Sequence, residues 1–327
     1  MKITIFGAGA IGGHLGALLS RDGVDVSLIA RGAHLDAMRE NGLKLILADG
    51  EFTTHPRVTD DPASLGPQDY VVVSMKSHQA PDAVEAMQPL LGPDTTVATA
   101  MNGMPWWYFY KLPGAHENYQ IQAVDPGAKQ WGGIGPERAI GCITYVASEV
   151  IAPGVVKASG QGRYFIGEPD GTQSQRCQHY RDMVASAGVD IRLRTDLRLD
   201  IWVKIMGNAA YNPISALTMA TMGAMVNDPD IEAVLRAVMA EVGDVGRAFG
   251  AELNTSIDER IAATRRGSSA HKTSMLQDME RGRMLEINPI IGAVSEVAKL
   301  VGVDTPTIDT VLALVKLRAQ EAGLMPG

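Results

Sequence analysis

With 327 residues and 46% hydrophobic content, the chain is long enough for two domains with separate cores and too apolar for a disordered protein. A formal net charge of -8 gives no electrostatic basis for non-specific binding to nucleic acid or anionic membrane, and no apolar run reaches membrane-span length. Cys142 and Cys177 are too few for a disulfide framework and read as reduced thiols of a cytoplasmic protein; no Cys/His cluster has zinc-site spacing, so no metal is expected.

The chain opens "MKITIFGAGAIGGHLG". A lysine before an apolar stretch could mark a secretion leader, but the glycines and the lack of a cleavage site argue against one. Instead "KITIFG" reads as a strand and "AIGGHLGALLSRDG" as a helix ending at Gly23. Between them Gly7, Gly9 and Gly12 stand in G-x-G-x-x-G spacing. The first glycine permits the tight turn, the second lets backbone approach a pyrophosphate, and the third lets the helix pack closely on the strand. The helix start adds free N–H groups and a partial positive charge. Gly7, Ala8, Gly9, Ala10, Ile11 and Gly12 are therefore expected to bind a dinucleotide. The alternative is a glycine-rich turn that holds nothing; the strand–loop–helix context speaks against it.

"DVSLIAR" is a second strand and "GAHLDAMRENG" a second helix. NAD sites usually end this strand with a carboxylate on the ribose hydroxyls. Here Ala30 and Arg31 follow. A guanidinium attracts a 2′-phosphate that a carboxylate would repel, so the expected cofactor is NADPH. The competing reading of Arg31 is an ordinary solvated surface charge.

"YVVVSMK" reads as a buried strand, "QAPDAVEAMQPLLG" as a helix and "TTVATAMNG" as another strand. Strands alternating with helices imply right-handed crossovers and a doubly wound parallel sheet of Rossmann type. An irregular stretch rich in Gly, Pro and aromatics follows, and then two or three strands around the Pro153-Gly154 turn, which could pair antiparallel at the sheet edge. From about Thr195 the patterns become helical, as in "DLRLDIWVKIMGNAAYN", "PDIEAVLRAVMAEVGDVGRAFG" and "NPIIGAVSEVAKLVG", with a last helix from Asp309 to Gly323. We expect a dinucleotide-binding domain over 1–195 and an all-helical substrate domain over 196–327. There are no internal repeats, and the tail "GLMPG" is expected to be loose.

Within "VKIMGNAAYNP", Lys204, Asn208 and Asn212 follow one another at four-residue spacing. On a helix they form one polar stripe among apolar neighbours. A buried ammonium needs partners or loses its proton. The plain reading is a lysine snorkelling to water, with Asn212 as a turn residue before Pro213. The functional reading is a wall carrying an acid and substrate anchors beside a dinucleotide domain.

The motifs "FGAGAIGGHLG", "ARG", "VSMKSHQ", "MNGM", "VKIMGNAAYNPISALT" and "TSMLQDMERGRMLEIN", taken in order, resemble the ketopantoate reductase (2-dehydropantoate 2-reductase) family and span most of the chain. The resemblance implies a Rossmann-type domain followed by a helical domain like the C-terminal one of 6-phosphogluconate dehydrogenase. It implies NADPH-dependent reduction of a 2-keto acid, with Lys204 as general acid. Asn208 and Asn212 match amides that bind substrate, and Glu286 a carboxylate that orients substrate within the lysine's polar network. Ser274 matches a substrate-binding serine, although its spacing to Gln277 also fits a capping box, and Gln277 and Asp278 are expected to hold that turn. Lys76, at a strand end in the nucleotide crevice, gains a role beside the cofactor; Gln79 is a weaker candidate there. Asn102 ends the next strand on the nicotinamide side, where its amide could hold cofactor or substrate; the plain reading of Asn102-Gly103 is a turn.

The chain departs from that family in "PWWYFYKLPGAHENYQIQAVDPGAKQWGG", which begins with five consecutive aromatics, Trp106 to Tyr110. It reads either as a pocket wall for a bulkier substrate or as a packed loop or subunit contact. Two further functions stay open: a related reductase of another 2-oxo or 3-hydroxy acid, and an NADPH-binding sensor without catalysis. A homodimer through the apolar helices is a further option.

Overall fold

The computed structural model describes residues 1–267 and 269–325. The chain forms two compact units. The first comprises Met1–Met101, Pro105–Gln120 and Gly127–Leu197; the second comprises Asn102–Met104, Ile121–Pro126 and the chain from Arg198 onward.

In the first unit the elements are β1 (Lys2–Phe6), α1 (Ala10–Arg21), β2 (Asp25–Ile29), α2 (Gly32–Asn41), β3 (Leu43–Leu47), β4 (Gly50–Thr54), β5 (Arg57–Thr59) and β6 (Gln68–Val73). There follow α3 (Val84–Met87), β7 (Leu91–Thr99), α4 (Lys129–Gly133), β8 (Ala139–Tyr145), β9 (Ser148–Ala152), β10 (Val155–Ala158), β11 (Arg163–Gly167), α5 (Gln175–Ser186) and β12 (Asp190–Leu193). The main sheet has the order β12-β11-β8-β7-β6-β1-β2-β5. From β5 through β8 every neighbouring pair is parallel, and the chain reverses its winding between β1 and β6, as in a doubly wound fold. The strands read as near-continuous apolar runs, "KITIF" and "YVVV", because both faces are covered. At the far side β11 runs antiparallel to β8, and β12 parallel to β11.

A second sheet, β4-β3-β10-β9, differs from expectation. The Pro153-Gly154 turn does make an antiparallel hairpin of β9 and β10, but that hairpin belongs to this second sheet. Its partner β3 lies more than a hundred residues earlier in the chain and pairs with β10 in parallel. Helix α1 packs against both sheets. A Cβ on Gly12 would overlap Ser74 Oγ and Ile5 of the main sheet's strand ends, and one on Gly13 would lie 2.9 Å from Val156 Cγ2 of the second. The doubled glycine therefore lets one helix approach two sheets. The stretch read as a single helix after "VSMK" is instead a series of 3-10 turns around the four-residue α3. Pro81 and Pro89 remove the donors a continuous helix would need.

The second unit is helical: α6 (Leu197–Thr218, beginning on the last residue of the first unit), α7 (Met222–Asn227), α8 (Pro229–Ala248), α9 (Ile257–Arg266), α10 (Ser274–Glu280), a π turn over Asn288–Gly292, α11 (Ala293–Leu300) and α12 (Pro306–Glu321). Local caps set the starts. Asp228 accepts the N–H groups of Asp230 and Ile231 before α8, and Ser256 and Glu259 form a full capping box before α9. Glu241 takes the N–H groups of Thr307 and Ile308 at the start of α12. Trp202 of α6 is fully buried and stacks on Phe249, with ring centroids 6.3 Å apart. The expected loose tail is pinned at its start: Leu324 is buried and its carbonyl accepts the Leu285 N–H, while residues 326–327 lie outside the described part. Among the described residues no helix is long and apolar enough to cross a membrane, and no group of His, Cys, Asp and Glu could hold a metal.

Candidate active site

The glycine loop shows the division of labour that its spacing implies. Gly7 has φ +105°, a conformation costly for any side-chain-bearing residue. Its carbonyl accepts from Ser74 Oγ at 3.0 Å. A Cβ on Gly12 would overlap that same carbonyl oxygen. Gly9 is different: a Cβ there would meet no protein atom within 4 Å. The fold itself does not demand a glycine at Gly9, but close approach of a pyrophosphate does. The first helical bond runs from Gly13 N–H to Gly9 C=O at 2.7 Å. The preceding amides, Gly9, Ala10, Ile11 and Gly12, therefore have no intrahelical acceptor, and no acidic residue occupies the first turn of α1. These residues fit the phosphates of a dinucleotide.

The N–H groups of Gly7 and Ala8 both donate to Ile29 C=O, at 3.2 and 3.0 Å, which ties the loop to the end of β2. Arg31 lies two residues further on, exposed and in extended conformation as the residue before α2. The strand end carries no carboxylate; Ala30 stands there. Lys76 is half-buried beyond the end of β6 and precedes the 3-10 turn Ser77–Gln79; Gln79 donates its backbone N–H to Lys76 C=O at 2.9 Å. The loop, Arg31 and Lys76 thus sit at the carboxyl ends of β1, β2 and β6, around the reversal of strand order, where open α/β sheets bind ligands.

The second unit carries the remaining residues. Lys204, Asn208 and Asn212 lie on α6; Lys204 and Asn208 are half-buried and Asn212 is buried. Successive members are offset by about 40° around the axis, so they make one slowly turning polar stripe. Glu286 is buried, just before the π turn. Asn102 belongs to this unit too, although the sequence reading placed it with the sheet. The reason is local. Gly103, at φ +91°, packs so closely on Pro289 that a Cβ would overlap the Pro289 carbonyl oxygen. Met104 N–H donates to the same oxygen at 2.8 Å. The "MNGM" corner is thereby held on the π turn that follows Glu286.

Ser274 is exposed and is the first residue of α10, not its cap. The cap is Thr273, whose Oγ1 accepts the Leu276 N–H at 3.1 Å. Gln277 steadies the turn through Nε2 to Lys272 C=O, 3.2 Å, and Asp278 through its carbonyl, which accepts the Arg283 N–H at 2.9 Å. Sequence reasoning missed the link between these elements. Ser215 Oγ donates to Asn212 C=O at 2.7 Å and lies 2.5 Å from Thr273 Oγ1. The serine's one proton goes to Asn212, so Thr273 donates to Ser215. Asn212 and Ser274 are thus carried on segments joined by two hydroxyls. The only sequence signal was a serine three residues after Asn212.

The aromatic stretch is interior. Trp106, Trp107, Tyr108 and Phe109 are all buried. Trp107 Nε1 donates to Thr99 Oγ1 at 2.9 Å, and its ring fills the space over Gly141. Trp106 and Tyr110 each meet Trp131 edge-on, and Phe109 meets Tyr119 likewise. Further along, Ile121–Pro126 joins the helical unit, where Glu296 accepts the N–H groups of Gln122 and Ala123 at 2.8 and 2.7 Å.

Residues 3–171 match the family model described as ketopantoate reductase PanE/ApbA, and residues 196–319 match that of the ketopantoate reductase PanE/ApbA C terminal. A 2-dehydropantoate 2-reductase of Mesorhizobium japonicum is 46% identical over 325 residues, spanning 99% of each chain. One from Pyrococcus horikoshii is 29% identical over 99% of each chain. Among solved structures, a candidate ketopantoate reductase of Ralstonia solanacearum superposes with a TM-score of 0.93 at 38% identity, covering 99% of each chain.

Proposed function

The chain belongs to the ketopantoate reductase family of oxidoreductases, and we propose that it reduces 2-dehydropantoate to pantoate with NADPH, Lys204 acting as general acid. The observation that carries the reading is the α6 stripe of Lys204, Asn208 and Asn212, in a unit that also holds buried Glu286. The stripe sets an ammonium and two amides along one side of a helix whose other residues are mostly apolar.

When bound, the reduced nicotinamide supplies a hydride to the ketone carbon. As it arrives, negative charge builds on the ketone oxygen. The Lys204 ammonium stabilises that charge and transfers a proton to the oxygen, completing the alcohol. Asn208, Asn212 and Ser274 hold the substrate through amide and hydroxyl hydrogen bonds, and Asn102 serves cofactor or substrate in the same way. Glu286 orients the substrate and belongs to the lysine's polar network. Gly7 to Gly12 take the pyrophosphate, Arg31 pairs with the 2′-phosphate, and Lys76, with Gln79 nearby, lies beside the nucleotide. NADPH oxidation across a panel of 2-keto acids tests the reading. Turnover should be fastest with 2-dehydropantoate; faster turnover of a different acid, or none of any, would overturn the substrate assignment.

A further inference from the structure

His34 lies in the first turn of α2, three residues after Arg31. Its ring makes two hydrogen bonds to parts of the chain far apart in sequence. Nδ1 lies 2.9 Å from the backbone nitrogen of Gly154, in the β9–β10 turn. Nε2 lies 2.8 Å from the carbonyl oxygen of Ala8, inside the glycine loop. The Gly154 amide can only donate, so Nδ1 is the acceptor and Nε2 carries the proton donated to Ala8. The ring is neutral in this arrangement. Desolvation lowers its pKa, with the Ala8 carbonyl opposing that shift, which favours the form able to accept at Nδ1.

We infer that His34 is a positioning residue for the cofactor: it sets the orientation of the Ala8–Gly9 peptide and so aims the Gly9 N–H. The inference rests on the reading of the glycine loop as a dinucleotide site. The peptide is trans, so its C=O and N–H point in opposite directions. With the Ala8 oxygen held by His34, the Gly9 N–H is turned the other way. Gly9 caps α1, and its amide joins those of Ala10 to Gly12 at the helix start. A flipped Ala8–Gly9 peptide would offer carbonyl lone pairs where the pyrophosphate needs a donor. Gly9 has no Cβ contact to hold the peptide by packing. The Ala8 N–H is fixed on Ile29 C=O, which leaves the following peptide to be fixed by His34. Because the other ring nitrogen is seated on the β9–β10 turn, the second sheet acts as the rigid backing for the loop.

Two substitutions separate positioning from packing. His34→Asn places an amide oxygen near the Nδ1 position, within reach of Gly154, but is too short to reach Ala8. His34→Gln extends an amide N–H toward Ala8. Titration with NADPH should give His34→Asn a dissociation constant raised by roughly tenfold, the scale of one to two hydrogen bonds, with its thermal midpoint nearly kept. His34→Gln should recover most of that affinity. If wild type binds NADPH and His34→Asn binds it as tightly, the inference is wrong while the function stands. The inference also fails if the affinity of both variants drops only in step with their stability. If wild type itself binds no dinucleotide, the proposed function falls, and the inference with it.

Discussion

Ser215 and Thr273, 58 residues apart in sequence, share a hydrogen bond of 2.5 Å that joins α6 to the start of α10. The proton order runs from Leu276 N–H to Thr273, from Thr273 to Ser215, and from Ser215 to the Asn212 carbonyl. Both hydroxyls are buried, so each partner that is lost leaves the other unsatisfied. Thr273→Val removes the cap and the link together. It should destabilise the protein by about 1–3 kcal/mol and raise the keto-acid KM, since Asn212 and Ser274 lose their common anchor. Urea unfolding and steady-state kinetics check it; a variant of native stability and KM would show that the link positions nothing.

Arg31 is expected to select the cofactor. Arg31→Asp turns an attraction for the 2′-phosphate into repulsion, and places just beyond β2 an acid of the kind that NAD sites favour. The ratio of kcat/KM for NADPH to that for NADH should fall by well over tenfold. A ratio equal to that of wild type would remove Arg31 from the site.

The aromatic stretch should act on stability before kinetics. Trp107 is buried, bonded to Thr99 and packed over Gly141. Trp107→Ala should cost about 3–5 kcal/mol and lower the thermal midpoint by roughly 10 °C. The keto-acid KM of the folded fraction should stay near that of wild type. A stable variant with a raised KM would restore the stretch to the substrate pocket.

How far this was legible in the residues depended on the range of the interactions. Glycine spacing, strand–helix alternation and the α6 stripe are local patterns; the glycine loop and α6 sit where the periodicity placed them, and the alternation departs from it at the proline-broken stretch after Lys76. The second sheet was not legible because β3 finds its partner β10 more than a hundred residues later in the chain, and "LKLIL" is too short to announce a separate sheet. Gly13 carries no local signal, because the reason for it is Val156 of the second sheet, 2.9 Å from where its Cβ would lie. The choice of Thr273 over Ser274 as cap turned on which of two adjacent hydroxyls takes the extended backbone conformation. Asn102 moved to the helical unit for a similarly non-local reason, the contact of Gly103 with Pro289.

His14 makes stability depend on pH. It is fully buried on α1, with Nε2 on Gly160 C=O at 3.0 Å and Nδ1 near Tyr164 Oη at 3.3 Å. Burial pushes its pKa down from 6.5 to about 4. The unfolded chain therefore takes up the proton first as pH falls. The stabilising contribution is whole above pH 6.5 and is lost between there and about 4, in total about 3 kcal/mol. His14→Gln should flatten the pH dependence of unfolding free energy in that window by close to one proton. Equal slopes for wild type and variant would refute the assignment.

The most direct test of the account is the turnover of Lys204→Ala. On the proposed reading the cofactor's main anchors lie in the first unit, so NADPH affinity and fold should be kept. At saturating NADPH and keto acid, kcat should fall by roughly 10²–10⁴-fold, the scale for loss of a positioned proton donor, and Lys204→Arg should recover little, because guanidinium hardly gives up its proton. A Lys204→Ala protein that binds NADPH and reduces 2-dehydropantoate at near wild-type kcat would contradict the mechanism and leave the α6 lysine a side chain that merely reaches for water.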